Sequence, residues 1–209
     1  MADYTLRSDK GSKLTTNEAD NNFIASRVTA RFNCGSVITP STGVWMNQTF
    51  DGARMANISA QQDAITLSPF SLGYDLAIDR VGAWLVSTTH DIRFLVYASN
   101  DSGQPSTKLY ESATISAATG SNEVSASLSF TANTLYWVGM HSGGTGTWRG
   151  VDRDSLLPLG LGTGLNTSQM PNHIKLSSTS IGSAPDTWSF ATSQLAGGVN
   201  IPSVAFRAA

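Results

Sequence analysis

Two of the three histidines stand beside residues that could complete a nucleophilic site. His90 precedes Asp91, and His141 precedes Ser142. A Ser–His–Asp triad uses these residue types, with His as the base that activates the Ser hydroxyl. A triad is defined by geometry and not by adjacency in sequence, and the chain lacks the G-x-S-x-G turn that presents a nucleophilic serine. We therefore predict no catalytic residue, and we expect His90 to be exposed in a turn between two strands.

The side-chain oxygens could instead bind a cation. Asp152 and Asp154 can lie on one side of an extended segment, and Asn100 and Asp101 are further oxygen donors. A calcium loop needs about six to eight oxygen ligands, usually from a D-x-[DN]-x-[DN]-G run, which the sequence lacks. Scattered histidines and a single cysteine do not match a zinc site, and no carboxylate pair is marked out for glycoside hydrolysis. We predict no metal, no cofactor and no enzymatic activity.

The chain has five tryptophans, which is many for 209 residues. We expect Trp84 and Trp137 to lie in the core. Trp148 differs, because it lies in the glycine-rich run HSGGTGTWRG, which we interpret as a loop. A loop residue of this size needs a docking pocket or a ligand, and the face of a sugar ring can stack on an indole. We therefore name Trp148, Arg149 and His141 as a candidate ligand-binding loop for a glycan or a protein receptor.

Composition restricts the partners that the chain can have. Charged residues make up 13% of the sequence, the net charge is -2 and the pI is about 5.8. No segment combines clustered Lys and Arg with aromatic residues, so we expect no nucleic-acid binding. No apolar run of about 18 residues could insert in a membrane, and the first residues lack the apolar core of a secretory signal. Cys34 is the single cysteine and cannot form an intrachain disulfide.

One helix is predicted near the N-terminus, over residues 16–28. The residues from Thr15 to Glu18 fit a capping box, in which the Thr hydroxyl and the Glu carboxylate cap each other's backbone amides. Apolar residues follow at helical spacing on one face. A helix of about 13 residues is marginally stable alone in water, so we expect it to dock on a partner. The candidate anchor residues are Leu14, Thr15, Glu18, Phe23, Ile24 and Val28.

Beyond Gly35 the pattern changes to that of an all-β domain. Residues 124–130 alternate between apolar and polar, as in a strand with one face in the core, whereas residues 135–140 are apolar on both faces and should be central. Other strands are predicted at residues 43–47, two or three within 64–86, 92–98, 109–115, around Trp148 and Ile174, and as closing strands at 188–190 and 204–206. Turn signals every 8–15 or so residues favour an antiparallel β-sandwich of jelly-roll type. We divide the chain into an arm and anchoring helix (residues 1–32) and a jelly-roll domain (residues 33–209).

Two regions resemble proteins of bacteriophage particles. Leu14-Thr15, Glu18, Asp20 and Asn22-Phe23 resemble the LT-x-x-E-x-D-x-N-F element near the N-termini of many phage tail-fibre and other appendage proteins. Further segments occur in an order similar to that of a jelly-roll module of phage fibre, head-fibre and capsid-decoration proteins. These segments are Pro69-Phe70, residues 78–82, residues 92–97, Gly103-Gln104-Pro105 and residues 135–138. Together the two regions cover nearly the whole chain.

The resemblance implies a structural protein of a phage particle. Residues 1–32 would attach it to a capsid, collar or tail protein, and the sandwich would be displayed on a particle assembled in the host cytoplasm. Such modules are usually trimers, so a homo-oligomer is expected. The alternative is a module that binds carbohydrate or a host receptor through exposed loop aromatics, with a host-surface glycan as the partner.

Overall fold

The computed structural model of the chain describes residues 39–47, 55–60, 62–87, 89–151, 171–177, 179–197 and 201–209. The anchor residues Leu14, Thr15, Glu18, Phe23, Ile24 and Val28 lie outside the described residues, as do Cys34, Asp152 and Asp154. The strands are β1 Trp45–Asn47, β2 Met55–Ala60, β3 Ala64–Phe70, β4 Leu76–Ser87, β5 His90–Ser99, β6 Pro105–Glu111, β7 Ile115–Ala117, β8 Gly120–Phe130, β9 Tyr136–Ser142, β10 Gly146–Val151, β11 Pro171–Leu176, β12 Leu195–Gly197, β13 Ile201–Pro202 and β14 Ala205–Ala208; one 3-10 turn spans Thr192–Gln194. Every strand pair is antiparallel, which confirms the predicted all-β antiparallel sandwich.

Sheet I contains β1, β2, β4, β8, β10, β13 and β14. Its longest strand, β4, pairs with β8 along one side and with β14 along the other. Near its C-terminal end β4 pairs with β10, while β1 continues the sheet from β14 and β2 continues it from β10. Two successive residues of β14, Arg207 and Ala208, pair with Arg80 and Ile78, so Asp79 is an extra residue that forms a bulge in β4. The bulge changes which of its residues face the core.

Sheet II has the order β12-β11-β3-β9-β5, and β6 and β7 both pair with the remaining side of β5. Strand β9 lies between β3 and β5, and all seven of its residues are buried. The prediction that residues 135–140 form a central strand is therefore confirmed. Gly139 is required in β9, because a Cβ at this position would overlap the backbone of Thr66 on the neighbouring strand.

The main core lies between the two sheets, which makes them the layers of a jelly-roll-type sandwich. Phe70 from sheet II packs against Phe130 and Phe206 from sheet I, with the three ring centroids 5.0–5.3 Å apart. Phe130 meets the other two rings edge-to-face, and such aromatic pairs contribute about 0.5–1.5 kcal/mol each beyond the burial of their surface. Because the triangle joins β3, β8 and β14, it links residues from distant parts of the sequence.

The outer face of sheet II is also buried, because residues 179–197 cover it. Ala184 and Trp188 of this covering segment complete a second apolar cluster with Ile65, Leu67, Leu95, Tyr97, Trp137 and Ile174. The Tyr97 hydroxyl donates to the carbonyl of Pro185 at 2.7 Å, and the backbone N–H of Trp188 donates to the carbonyl of Ser106 at 2.7 Å. This second cluster explains why β9 is apolar on both faces.

Some strand predictions differ from the structure. The predicted strand over residues 109–115 is instead the end of β6 and the beginning of β7, which pair with different parts of β5. The closing strand at residues 188–190 is wrong, because these residues lie in the covering segment and outside any strand. This segment forms an isolated bridge to β6 between Thr187 and Thr107, beside backbone hydrogen bonds to Ser106 and Lys108. Strand β2 was not predicted, and its pairing with β10 is what completes sheet I on that side.

Candidate functional site

The exposed face of sheet I carries two tryptophans. Along β4 the side chains of Val81, Ala83 and Leu85 are buried, so Gly82 and Trp84 between them face away from the core. Trp84 is 53% exposed and Trp45 of β1 is 38% exposed. The prediction that Trp84 lies in the core is therefore wrong, whereas Trp137 is buried in β9 as predicted.

Gly82 brings the two tryptophans to one place. A Cβ at Gly82 would lie 3.2 Å from the Cη2 atom of Trp45, so the indole of Trp45 extends from β1 over β14 as far as Gly82 of β4. Trp84 is two residues further along the same strand face, which is about 7 Å. The two indoles therefore border a single small surface and not two separate ones.

A groove lies between these indoles. Its lining includes Trp45, Gly82, Trp84, Ser121, Arg149 and Ser203, and its volume is about 190 Å³. Enclosed pockets for small organic ligands usually measure about 300–1,000 Å³. The groove is thus a shallow platform that can hold one face of a ligand, with aromatic walls and a few polar groups.

Arg149 provides positive charge at the groove. It lies on β10 opposite Asn57 of β2, and its side chain is exposed. The other cations on this face are paired: Arg80 with Glu123 at 3.1 Å, and Arg207 with Asp79. The hydrogen bonds and charge of Arg207 lower the pKa of Asp79, so that pair stays ionised. Within the described ranges no ion pair involves Arg149, which leaves its guanidinium available.

Ser203 provides an unsatisfied hydroxyl. The residue is 5% exposed and its backbone amide donates to the carbonyl of Arg149 at 3.1 Å. Its Oγ is buried and has no hydrogen-bond partner among the described residues. A buried polar group without a partner costs about 1–3 kcal/mol, so a ligand atom that reached this hydroxyl would recover part of that cost.

The predicted ligand-binding loop of Trp148, Arg149 and His141 does not exist as a loop. Trp148 lies in β10, is 0% exposed and belongs to the main core. At least one glycine of this run is needed for packing and not for a loop. A Cβ at Gly150 would overlap the backbone carbonyl of Ile201, so glycine permits β10 and β13 to approach closely. The prediction of an exposed aromatic at Trp148 is wrong, and of the three residues Arg149 is the exposed one.

The histidines have structural contacts. His90 is half-buried at the start of β5, not exposed as predicted, and its Nε2 accepts a hydrogen bond from Nε1 of Trp148 at 3.2 Å. His141 is 0% exposed in β9, and its Nε2 donates to the carbonyl of Thr179 at 2.8 Å. Its Nδ1 has no partner in the part of the chain that the structure describes. His141 therefore helps to hold the covering segment on sheet II.

The remaining residues singled out by sequence have local roles. Ser142 donates to the carbonyl of Gly144 at 2.7 Å, and Asp91 accepts from Ser116 at 2.6 Å. Asn100 Oδ1 accepts from the backbone amides of Ser102 and Gln104, which stabilises the turn before β6. No group of three or more His, Cys, Asp or Glu side chains within the described ranges is arranged to hold a metal ion.

Comparison with models of known protein families and with curated proteins finds no match for this chain. Among the described residues no helix has the length and apolarity needed to cross a membrane. The site must therefore be interpreted from its own chemistry: two exposed indoles, and a guanidinium without an ion pair and a buried hydroxyl without a hydrogen bond among the residues that the structure describes.

Proposed function

We propose that this protein is a structural component of a bacteriophage particle, attached through residues 1–32 and displaying the β-sandwich. One observation carries the proposal: the segments that resemble the phage jelly-roll module coincide with the elements that build the sandwich. They fall at the end of β3, in β4, in β5, in the turn before β6 and at the start of β9. The resemblance therefore extends over the framework of the domain and not over one isolated turn.

The attachment would work by burial of the helix on another virion protein. Phe23, Ile24 and Val28 share one predicted helix face, and burial of each such side chain is worth about 1.5–3 kcal/mol. Many copies on a symmetric particle, or three copies in a trimer, would increase the avidity of an otherwise modest contact. The sandwich has two apolar clusters of its own within residues 39–209, which supports the separation of a displayed domain from its anchor.

Deletion of residues 1–30 tests this attachment. We expect the truncated protein to keep the β-type circular dichroism and the unfolding midpoint of the full chain, but to stay in the supernatant when particles that lack the protein are sedimented. The double substitution Phe23→Ala and Ile24→Ala should have the same effect in the full-length chain. Leu109→Ala, at an exposed position of sheet II, is the matched control and should still sediment with particles. Co-sedimentation of the truncated protein would contradict the proposal.

A second role is compatible with the first, because one projecting domain can both attach to a particle and bind a host surface. The groove at Trp45 and Trp84 favours this carbohydrate- or receptor-binding role. Of the residues predicted for a ligand-binding loop, the groove includes Arg149, whereas Trp148 is in the core.

A further inference from the structure

We propose that the groove on the exposed face of sheet I binds a carboxylate-bearing saccharide. The proposal rests on the second role above and specifies its site and the class of its ligand. It does not depend on attachment to a particle. Three independent features of the groove point to this ligand: the paired indoles, the guanidinium of Arg149 and the hydroxyl of Ser203.

The indoles select a flat ligand that has both apolar and polar edges. A pyranose ring presents C–H groups on its faces and hydroxyls around its rim, so its face can pack on an indole while the rim stays hydrated. Trp84 is more than half exposed and Trp45 more than a third, which is unusual for the largest apolar side chain. The outer face of sheet I otherwise carries mainly serine, alanine, glycine and charged residues, so these two rings are its large apolar side chains at the groove.

Arg149 selects a negative charge. The planar guanidinium presents parallel N–H donors that match the two oxygens of a carboxylate. Arg80 and Arg207 on the same sheet face already have the carboxylates of Glu123 and Asp79. A ligand carboxylate at the groove can therefore pair with the guanidinium of Arg149. The nearby acids Glu123 and Asp79 are neutralised by their own arginines, so they repel the ligand little.

Ser203 distinguishes a ligand site from a bare apolar patch. The residue is 5% exposed, and its Oγ can both donate and accept a hydrogen bond. Among the described residues, however, this Oγ has no hydrogen-bond partner. A hydroxyl with only a packing role would be expected to bond a backbone group. This oxygen is closed to solvent in the free chain, so a sugar hydroxyl or a carboxylate oxygen would supply the missing hydrogen bond after the Ser203 side chain turns towards the groove.

The test is a titration of the purified full-length chain with matched saccharides. Trigalacturonic acid is compared with its methyl ester, which keeps the sugar rings and removes the charge; a hyaluronan tetrasaccharide and a disialic acid extend the acidic set. Binding is measured by tryptophan fluorescence and by isothermal titration calorimetry at low and high salt. We expect at least one acidic saccharide to bind, and for a trigalacturonate ligand the affinity should be at least about tenfold above that of the ester.

Three substitutions assign the binding to the groove. Trp84→Ala should reduce affinity for the acidic ligand at least tenfold, and Arg149→Gln should remove the preference for the acidic ligand over a neutral one and the dependence on salt. Ser203→Ala should weaken binding while it raises the urea midpoint of the free protein, because an unsatisfied hydroxyl is removed. A purely structural Ser203 would not change the affinity. Leu109→Ala and Lys175→Gln, on sheet II, are the controls and should bind as the unmodified chain does.

Several results would overturn the proposal. Absence of saturable binding to all of the acidic saccharides removes it, and so does binding that Trp84→Ala leaves unchanged. Equal affinity for trigalacturonate and its ester refutes the acidic ligand but leaves a carbohydrate-binding role. Self-association that Trp84→Ala abolishes, without saccharide binding, would make the groove a contact between copies of the chain. None of these results bears on attachment through residues 1–32, which the sedimentation experiment tests separately.

Discussion

The same residue type has opposite roles on neighbouring strands of sheet I. Trp148 of β10 points into the core, where its indole N–H donates to His90 and its ring meets the imidazole edge-on at a centroid distance of 5.5 Å. Trp84 of β4 points outward. The contrast arises because Leu85, and not Trp84, is the β4 residue paired with Trp148, and paired residues share a sheet face.

The two tryptophans should differ in their contribution to stability. We expect Trp148→Ala to lower the free energy of unfolding by about 3–5 kcal/mol, because it leaves a large cavity in the main core. Trp84→Ala should change it by less than about 1 kcal/mol, because the side chain is mostly in water. Urea denaturation followed by far-UV circular dichroism measures both. Equal losses for the two variants would contradict the assignment of Trp148 to the core and of Trp84 to the surface.

At the scale of elements, a half-buried acid joins Tyr97 and His141 in holding the covering segment on sheet II. Glu111 at the end of β6 accepts hydrogen bonds from Arg93, from Lys108 and from the backbone amide of Ala184, all between 2.7 and 2.9 Å. Lys108 also donates to the carbonyl of Ala184 at 2.6 Å. Burial by itself raises the pKa of Glu111, but these hydrogen bonds and charges outweigh it, and the pKa lies below its ordinary value.

This network gives a pH dependence with a definite sign. Because the pKa of Glu111 is lower in the folded than in the unfolded chain, its stabilisation is complete above about pH 4.5, the ordinary value, and is lost as the pH falls through the lowered folded value. Glu111→Gln should therefore cost about 1–3 kcal/mol near neutral pH, and the difference from the unmodified chain should shrink below pH 4.5. Urea unfolding at a series of pH values measures it.

His173 makes a separate contribution to the pH dependence of stability, which cancels when Glu111→Gln is compared with the unmodified chain. Burial, with help from Lys175, lowers the pKa of His173 to about 4, so its protonation below pH 6.5 also favours unfolding. That contribution is present in both proteins, and the difference between them isolates Glu111. A difference that stays constant from pH 7 to pH 3 would show that the charge of Glu111 does not hold the segment.

At the scale of the whole molecule, the two apolar clusters share sheet II. Tyr136 and Val138 of β9 face the main core, whereas Trp137 between them belongs to the second cluster. Because β9 contributes side chains to both clusters, unfolding of this strand disrupts both clusters together. The domain is therefore expected to unfold as one cooperative unit.

Substitutions in the two clusters test this cooperativity. Phe94→Ala in the main core should lower the free energy of unfolding by about 3–5 kcal/mol, and Leu67→Ala in the second cluster should lower it by about 2–5 kcal/mol. Each variant should still unfold in a single transition. Circular dichroism and tryptophan fluorescence should give coincident curves for both variants. Two separate transitions, with Leu67→Ala shifting one of them, would show instead that the covering segment opens independently.

Much of the fold could be predicted from the sequence because the strands carry a strong local pattern. The alternation in residues 124–130 predicted a half-exposed strand, and β8 has alternating burial over those residues. The apolar run 135–140 predicted the central strand β9. Segments without alternation were harder to predict. In the run 81–86 several residues are apolar in succession, so the pattern does not show which side chains face the core. The bulge in β4 before this run determines their orientation.

The amino-acid sequence by itself determined the class of fold and the position of the central strand, because alternation and apolar runs are properties of neighbouring residues. It also showed five tryptophans from which a binding surface could be built. The tertiary structure decided which tryptophans are exposed and where a ligand could bind. Residues 45, 82, 84, 149 and 203 meet only because β14 pairs with both β1 and β4, and β10 pairs with the end of β4. Pairing between strands so distant in sequence depends on the packing of the whole core, which no local pattern contains.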